Sequence, residues 1–188
     1  MSAARRKAPP RARLPGDRED SARTRRMIRV DQAGEYGAAR IYAGQLAVLK
    51  DRKSATAIRR MAEQEKVHLA AFDKLVVERR VRPTALSPVW HVAGYALGAA
   101  TALLGERAAM ACTVAVEEVI DEHYRRQLEA LGGAESALAA TISQFRADEI
   151  EHRDIALKHG AEDTPGYPVL SAAIKAGSRL AIWLSTRI

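Results

Sequence analysis

A lone Glu followed about thirty residues later by Glu-x-x-His occurs twice in this chain: Glu35 with Glu65 and His68, then Glu117 with Glu149 and His152. Residues three apart share a helix face, so each tetrad aims a carboxylate and an imidazole the same way. Roughly 0.4 such tetrads are expected by chance in a chain of this Glu and His content, so one alone would say little. The turns make the repeat informative. In an antiparallel helical hairpin, residues at one level lie equally far from the turn. The midpoint of the first set falls near residue 51, within Lys50-Asp51-Arg52-Lys53-Ser54, and that of the second near residue 134, beside Gly132 and Gly133. Both stretches favour a turn. Each lone Glu therefore comes level with its own tetrad, about 20 Å from the turn at about 1.5 Å per residue.

Together the six side chains offer four carboxylates and two imidazoles, the inward set of carboxylate-bridged di-iron bundles. By symmetry one iron takes Glu35 and His68, the other Glu117 and His152, and Glu65 and Glu149 bridge. A mixed carboxylate and imidazole shell with open positions suits Fe(II) that reacts with oxygen, and four carboxylates offset two Fe²⁺. Spacing alone does not choose between Glu117 and Glu118. A ligating His gives its second ring N–H to a carboxylate, and Asp148 is placed to serve His68 across the bundle. The corresponding position in the first half is Gln64, a departure from symmetry; Glu118 and Asp121 compete for similar roles. Tyr124, two turns after Glu117, shares its face and reads as a packed tyrosine or as a relay for a proton or electron. His91, His123 and His159 fall outside the pattern and are read as non-ligands.

At 188 residues the chain is long enough for one domain with a sizeable core. Abundant Ala, Leu, Arg and Glu with few aromatics point to an all-α fold, here a ferritin-like four-helix bundle with two additional apolar helices, one a crossover and one C-terminal. The single Cys112 rules out an internal disulfide, a zinc ribbon or a rubredoxin-type iron site, and in its apolar surroundings it reads as a packed thiol.

The net charge of +7 resides in residues 1–30, because residues 31–188 carry twenty charges of each sign. No basic groove is left for nucleic acid. Residues 1–20 are expected as a disordered basic tail and residues 21–188 as the bundle domain. No apolar h-region of a secretory signal is found, and the tail's prolines weaken a mitochondrial presequence.

Helices are expected over residues 21–50, 54–80, 106–131, 134–159 and 169–186. Gly34, Gly37 and Gly44 in the first would each cost about 1 kcal/mol, suggesting close packing near Glu35. Between Thr84 and Gly105 stand 22 residues without Asp, Glu, Lys or Arg. A membrane span there would part the two halves of the ligand set. The stretch is therefore expected as the crossover of the bundle, since a 20-residue helix covers about 30 Å, with an apolar face turned to lipid and Trp90 and Tyr95 at the interface. The C-terminal helix is expected to cover the bundle or join that surface.

Val30-Asp31-Gln32-Ala33-Gly34-Glu35-Tyr36-Gly37-Ala38 resembles the N-terminal signature of the demethoxyubiquinone hydroxylase family. So do Arg40-Ile41-Tyr42-Ala43-Gly44-Gln45, Gln64-Glu65-Lys66-Val67-His68-Leu69 and Ala111-Cys112-Thr113-Val114-Ala115-Val116-Glu117-Glu118. The likeness runs from about residue 25 to the end; the basic tail has no counterpart. Carried over by motif, the family's metal ligands fall on Glu35, Glu65, His68, Glu117, Glu149 and His152, which selects Glu117 over Glu118. The resemblance implies a di-iron monooxygenase that uses O2 to hydroxylate the quinone ring of a polyprenylated demethoxyubiquinone, with electrons from NADH. No Gly-rich dinucleotide fingerprint accompanies it. It also implies, in some members, a lipid-binding partner protein that presents the substrate. A homo-oligomer is expected, held peripherally on the cytoplasmic face of a bacterial inner membrane or, alternatively, on the matrix side of the mitochondrial one. The competing reading is a ferritin-like ferroxidase or iron store; a tRNA hydroxylase and a non-enzymatic quinone carrier are further alternatives.

Overall fold

A computed structural model describes residues 18–133 and 135–188. Most of the expected disordered tail, residues 1–17, lies outside them. Arg18, Glu19 and Asp20, assigned to that tail from sequence, instead form the first turn of a helix.

Six α-helices follow: α1 (Arg18–Leu49), α2 (Ala55–Glu78), α3 (Ser87–Leu103), α4 (Glu106–Leu131), α5 (Ser136–Lys158) and α6 (Tyr167–Ser185), with one 3-10 turn, Ala161–Asp163. No strand occurs among the described residues. The two expected turns stand where the spacing put them. The first is closed by Arg52 N–H on the Leu49 carbonyl at 2.9 Å. At the second, Gly132 and Gly133 have φ of 51° and 89°, a region that disfavours side chains.

α1 and α2 form one antiparallel hairpin, α4 and α5 the other. α1 faces α4 and α2 faces α5. Two apolar clusters close the bundle above and below its middle. One contains Leu49, Ile58, Met61, Met110 and Val114; the other contains Ile28, Phe72, Leu138, Ile142 and Phe145. Cys112 is fully buried, a packed thiol that burial pushes up to about 12. At the turn end of α1 and α2, Ser54 N–H donates to Glu106 Oε2 at 2.9 Å, tying the first hairpin to the start of the second.

α3 is the crossover. It runs alongside α1 in the same direction and enters α4 through Leu104 and Gly105, whose φ is 118°. Close approach is built from glycines. A Cβ on Gly44 would overlap the Tyr95 carbonyl oxygen, and one on Gly98 would overlap that of Ile41. The helix cost of Gly44 thus admits α3. Gly34 and Gly37 differ from expectation: a Cβ there would meet nothing within 4 Å, because both border a cavity. α6 packs on α4 and α1, and Trp90 Nε1–H donates to Ser185 Oγ at 3.0 Å, joining α3 to α6. The outer faces of α3 and α6 leave Val89, Val92, Leu103, Leu180 and Trp183 exposed. No described helix is long and apolar enough to cross a membrane.

Candidate metal centre

Between the two apolar clusters lies a polar layer. Glu35, Glu65, His68, Glu117, Glu149 and His152 converge there, each at most 1% exposed. The helical period puts Glu65 and His68 on one face of α2, and Glu149 and His152 on one face of α5. α1 and α4 each add one carboxylate. Two groups result, with ligand atoms within 4.8 Å of one another: Glu35, Glu65, His68 and Glu149, and Glu65, Glu117, Glu149 and His152. Glu65 and Glu149 belong to both. Glu149 Oε1 lies 3.1 Å from His68 Nδ1 and its Oε2 lies 3.2 Å from His152 Nδ1, so this carboxylate reaches both halves. Glu65 Oε1 is 3.1 Å from His152 Nδ1, and Glu35 Oε2 is 3.5 Å from His68 Nδ1.

Each imidazole turns Nδ1 inward and Nε2 outward. His68 Nε2 meets Asp148 Oδ2 at 3.1 Å, the cross-bundle pairing expected for Asp148. His152 Nε2 meets Gln64 Oε1 at 3.2 Å. Donation from Nε2–H to these oxygens leaves the Nδ1 lone pairs facing the centre. Glu118 and Asp121, weighed for similar roles, lie elsewhere. Glu118 pairs with Lys175 of α6, and Asp121 accepts from Arg146 Nε at 2.6 Å. One residue along α4 rotates Glu118 off the inward face that Glu117 occupies.

Two tyrosines complete the layer. Tyr124 OH donates to Glu35 Oε1, and Tyr42 OH donates to Glu117 Oε1 at 2.8 Å. Each tyrosine stands seven residues after the lone Glu of its own half and bonds that of the other half. Tyr124 is both packed, against Phe72, and hydrogen-bonded. Tyr42 was not foreseen. The signal was available: Tyr42 follows Glu35 by the same two turns that separate Tyr124 from Glu117. A triad beside Tyr124, of buried Asp31 and Gln127 with the partly buried His123, was missed as well. Asp31 Oδ1 receives Gln127 Nε2–H at 2.7 Å and lies 3.0 Å from His123 Nε2. His91 pairs with Tyr36 OH at 2.6 Å, between α1 and α3.

Electrostatics show what the layer lacks. Burial, followed by the charges of neighbouring carboxylates, raises Glu65 well above the ordinary range; burial and then Glu149 do the same for Glu117. Burial raises Glu149 to about 7 even against the opposing pull of the neighbouring His68. For His68, burial favours the neutral ring, but the Glu149 and Glu35 carboxylates close to Nδ1 outweigh it and raise the ring to about 10. His152 is lowered by burial. Within this layer five buried carboxylate oxygens have no hydrogen bond: Glu35 Oε2, both of Glu65, Glu117 Oε2 and Glu149 Oε1; His68 Nδ1 has none either. Unpaired buried anions are costly, and cations between them would satisfy every one. The donor set fits a pair of metal ions.

An apolar cavity of about 380 Å³ adjoins this layer. Val30, Gly34, Ala38 and Ile41 of α1 line it, with Trp90 and Leu97 of α3, Val116 and Ile120 of α4, and Ala181 and Ile182 of α6. Gly34 and Val116 are chain neighbours of Glu35 and Glu117, while none of the six inward residues lines the cavity itself.

The family model described as ubiquinone biosynthesis protein COQ7 matches residues 22–185. The chain belongs to this family. It is 61% identical over 177 residues to the 3-demethoxyubiquinol 3-hydroxylase of Rhodospirillum rubrum, covering 94% of this chain and 84% of that relative. It is 55% identical over 166 residues to the NADPH-dependent 3-demethoxyubiquinone 3-hydroxylase, mitochondrial, of Dictyostelium discoideum, with 87% and 76% covered. The Homo sapiens protein of that name is 54% identical over 167 residues, with 87% and 77% covered. The resemblance implies NADH, whereas the names of these two eukaryotic relatives specify NADPH.

Proposed function

We propose that this COQ7-family chain is a di-iron monooxygenase that hydroxylates the quinone ring of a polyprenylated demethoxyubiquinone, using O2 and electrons from a reduced nicotinamide. The observation that carries the reading is the layer of orphaned carboxylate oxygens, together with an apolar cavity lined by the chain neighbours of Glu35 and Glu117. A four-oxygen, two-nitrogen donor set suits iron. When bound, the ferrous pair would supply two electrons to dioxygen, so that one oxygen atom enters the ring and the other leaves as water.

The chain's own groups hold and orient. Glu35 Oε2, Glu117 Oε2, His68 Nδ1 and His152 Nδ1 would bind the irons, with Glu65 and Glu149 between them. Tyr124 and Tyr42 occupy Oε1 of Glu35 and Glu117, leaving one oxygen of each free. Asp148 and Gln64 hold the ring protons on Nε2 of the two histidines. Val30, Ile41, Leu97, Val116 and Ile120 give the ring a dry, apolar berth and keep water from the centre.

The exposed apolar residues of α3 and α6 would hold the protein peripherally on a membrane, where a long-tailed quinone resides. The family reading extends to a lipid-binding partner protein on the same face, to assembly with further copies, and to a bacterial inner or mitochondrial membrane. Residues 18–188 act as one bundle domain.

The test is to load the purified chain with Fe(II), supply a reductant, ¹⁸O2 and a short-chain demethoxyquinone, and weigh the product. A gain of one labelled oxygen is expected. Oxidation of Fe(II) with release of ferric ion and no labelled product would favour the ferroxidase reading instead.

A further inference from the structure

The two halves of the centre match in all but a few places. Glu35 answers to Glu117, Glu65 to Glu149, His68 to His152, Tyr42 to Tyr124 and Gln45 to Gln127. Each pair is identical in type and occupies the same place. The mismatches are therefore informative. Behind His68 stands a carboxylate, Asp148, at 3.1 Å; behind His152 stands an amide, Gln64, at 3.2 Å. Gln144 Nε2–H donates to Asp148 Oδ1 at 3.2 Å and keeps the carboxylate aimed at His68. A second difference falls on the same half. Four residues before Glu35 comes Asp31, buried and bound by Gln127 and His123; four before Glu117 comes the neutral Thr113, met by Gln45, which also donates to the Ala109 carbonyl at 3.0 Å.

We propose that Asp148 and Gln64 are positioning residues that rank the two metal positions, so that the half built from Glu35 and His68 fills first and holds its ion more tightly than the half built from Glu117 and His152. The inference rests on the metal reading above. A carboxylate that accepts from Nε2–H draws the proton toward itself and leaves Nδ1 the richer donor; a neutral amide oxygen does this less. Loss of such a partner typically lowers metal affinity roughly 10–100-fold. The Asp31 carboxyl adds a further acidic group near the first half, with no counterpart near the second.

The experiment titrates the metal-free full chain with Mn(II) under anaerobic conditions at neutral pH. Calorimetry follows the affinities, and electron paramagnetic resonance shows whether bound ions are isolated or spin-coupled. Two binding steps separated by roughly 10–100-fold are expected. At one equivalent the bound signal should be that of isolated ions. Asp148→Asn should weaken the first step until the two merge, with coupled pairs appearing at one equivalent. Gln64→Glu should strengthen the second step, a gain that disruption of the fold would not produce. A single step with two equal sites in the unaltered protein would overturn the ranking while leaving the metal reading intact. Unchanged steps in both variants would overturn the roles given to Asp148 and Gln64. Failure to bind any metal would instead remove the metal reading itself, and the ranking with it.

Discussion

Two neighbouring interiors of this molecule are built on opposite principles. The layer at the middle of the bundle packs four carboxylates and two imidazoles into a space closed to water, with five carboxylate oxygens left without hydrogen bonds. The cavity beside it is lined mainly by apolar side chains. Each is a liability for a fold that needs only to be stable. Unpaired buried charge and apolar surface left accessible to water both raise the free energy of the native state. Their adjacency has a purpose if ions fill the first and an apolar ring fills the second. The halves should then fail separately.

The largest effect is expected at Glu149, whose two oxygens face the two histidines. Glu149→Gln should bring both metal content and turnover to background, measured by elemental analysis and product formation. Should metal remain at two equivalents, the polar layer is not a metal centre.

Gly34→Leu attacks the other interior. A Cβ there meets nothing within 4 Å and Gly34 lines the cavity, so a larger side chain should extend into it. Metal content should stay at its original level while KM for the quinone rises roughly tenfold or more, the equivalent of about 1–3 kcal/mol of crowding. The replaced helical glycine should stabilise the fold by up to about 1 kcal/mol, read as a higher Tm. Loss of metal in this variant would break the division between the two interiors.

The metal-free protein should respond to pH in the direction set by its raised groups. Glu149 at about 7 and His68 at about 10 both bind their protons more tightly folded than unfolded. Their contribution is full in acid, below the ordinary values, and is lost as pH rises first through about 7 and then toward about 10. Thermal melts of the metal-free chain should therefore fall from pH 5 to pH 9. With metal bound in place of the protons, that fall should be absent or reversed.

Smaller changes sharpen the picture. Tyr42→Phe removes one hydrogen bond to a buried carboxylate, costing about 1–3 kcal/mol, and should lower metal affinity without emptying the site. Val92→Glu, on the outer face of α3, should reduce binding to lipid vesicles several-fold, measured by co-sedimentation, and leave turnover of a short-chain quinone unchanged.

Much of this could be read before any coordinates. Helix periodicity decides which side chains share a face, and turn position decides which levels align; both are local properties of the chain. That is why five of the six inward residues, the two hairpins, the crossover and even the Asp148–His68 pairing followed from spacing, whereas the choice of Glu117 over Glu118 needed the family resemblance. What spacing could not reach was contact between surfaces brought together by long-range packing. Tyr42 belongs to the first half yet bonds Glu117 in the second. Asp31 meets His123 and Gln127 from more than ninety positions away. Gly44 and Gly98 make sense only once α3 lies against α1, and the cavity exists only because α6 docks beside α3. The pattern along the chain determined which groups face inward. Only the meeting of the helices decided which of them touch, because that depends on how whole faces interlock rather than on any one stretch.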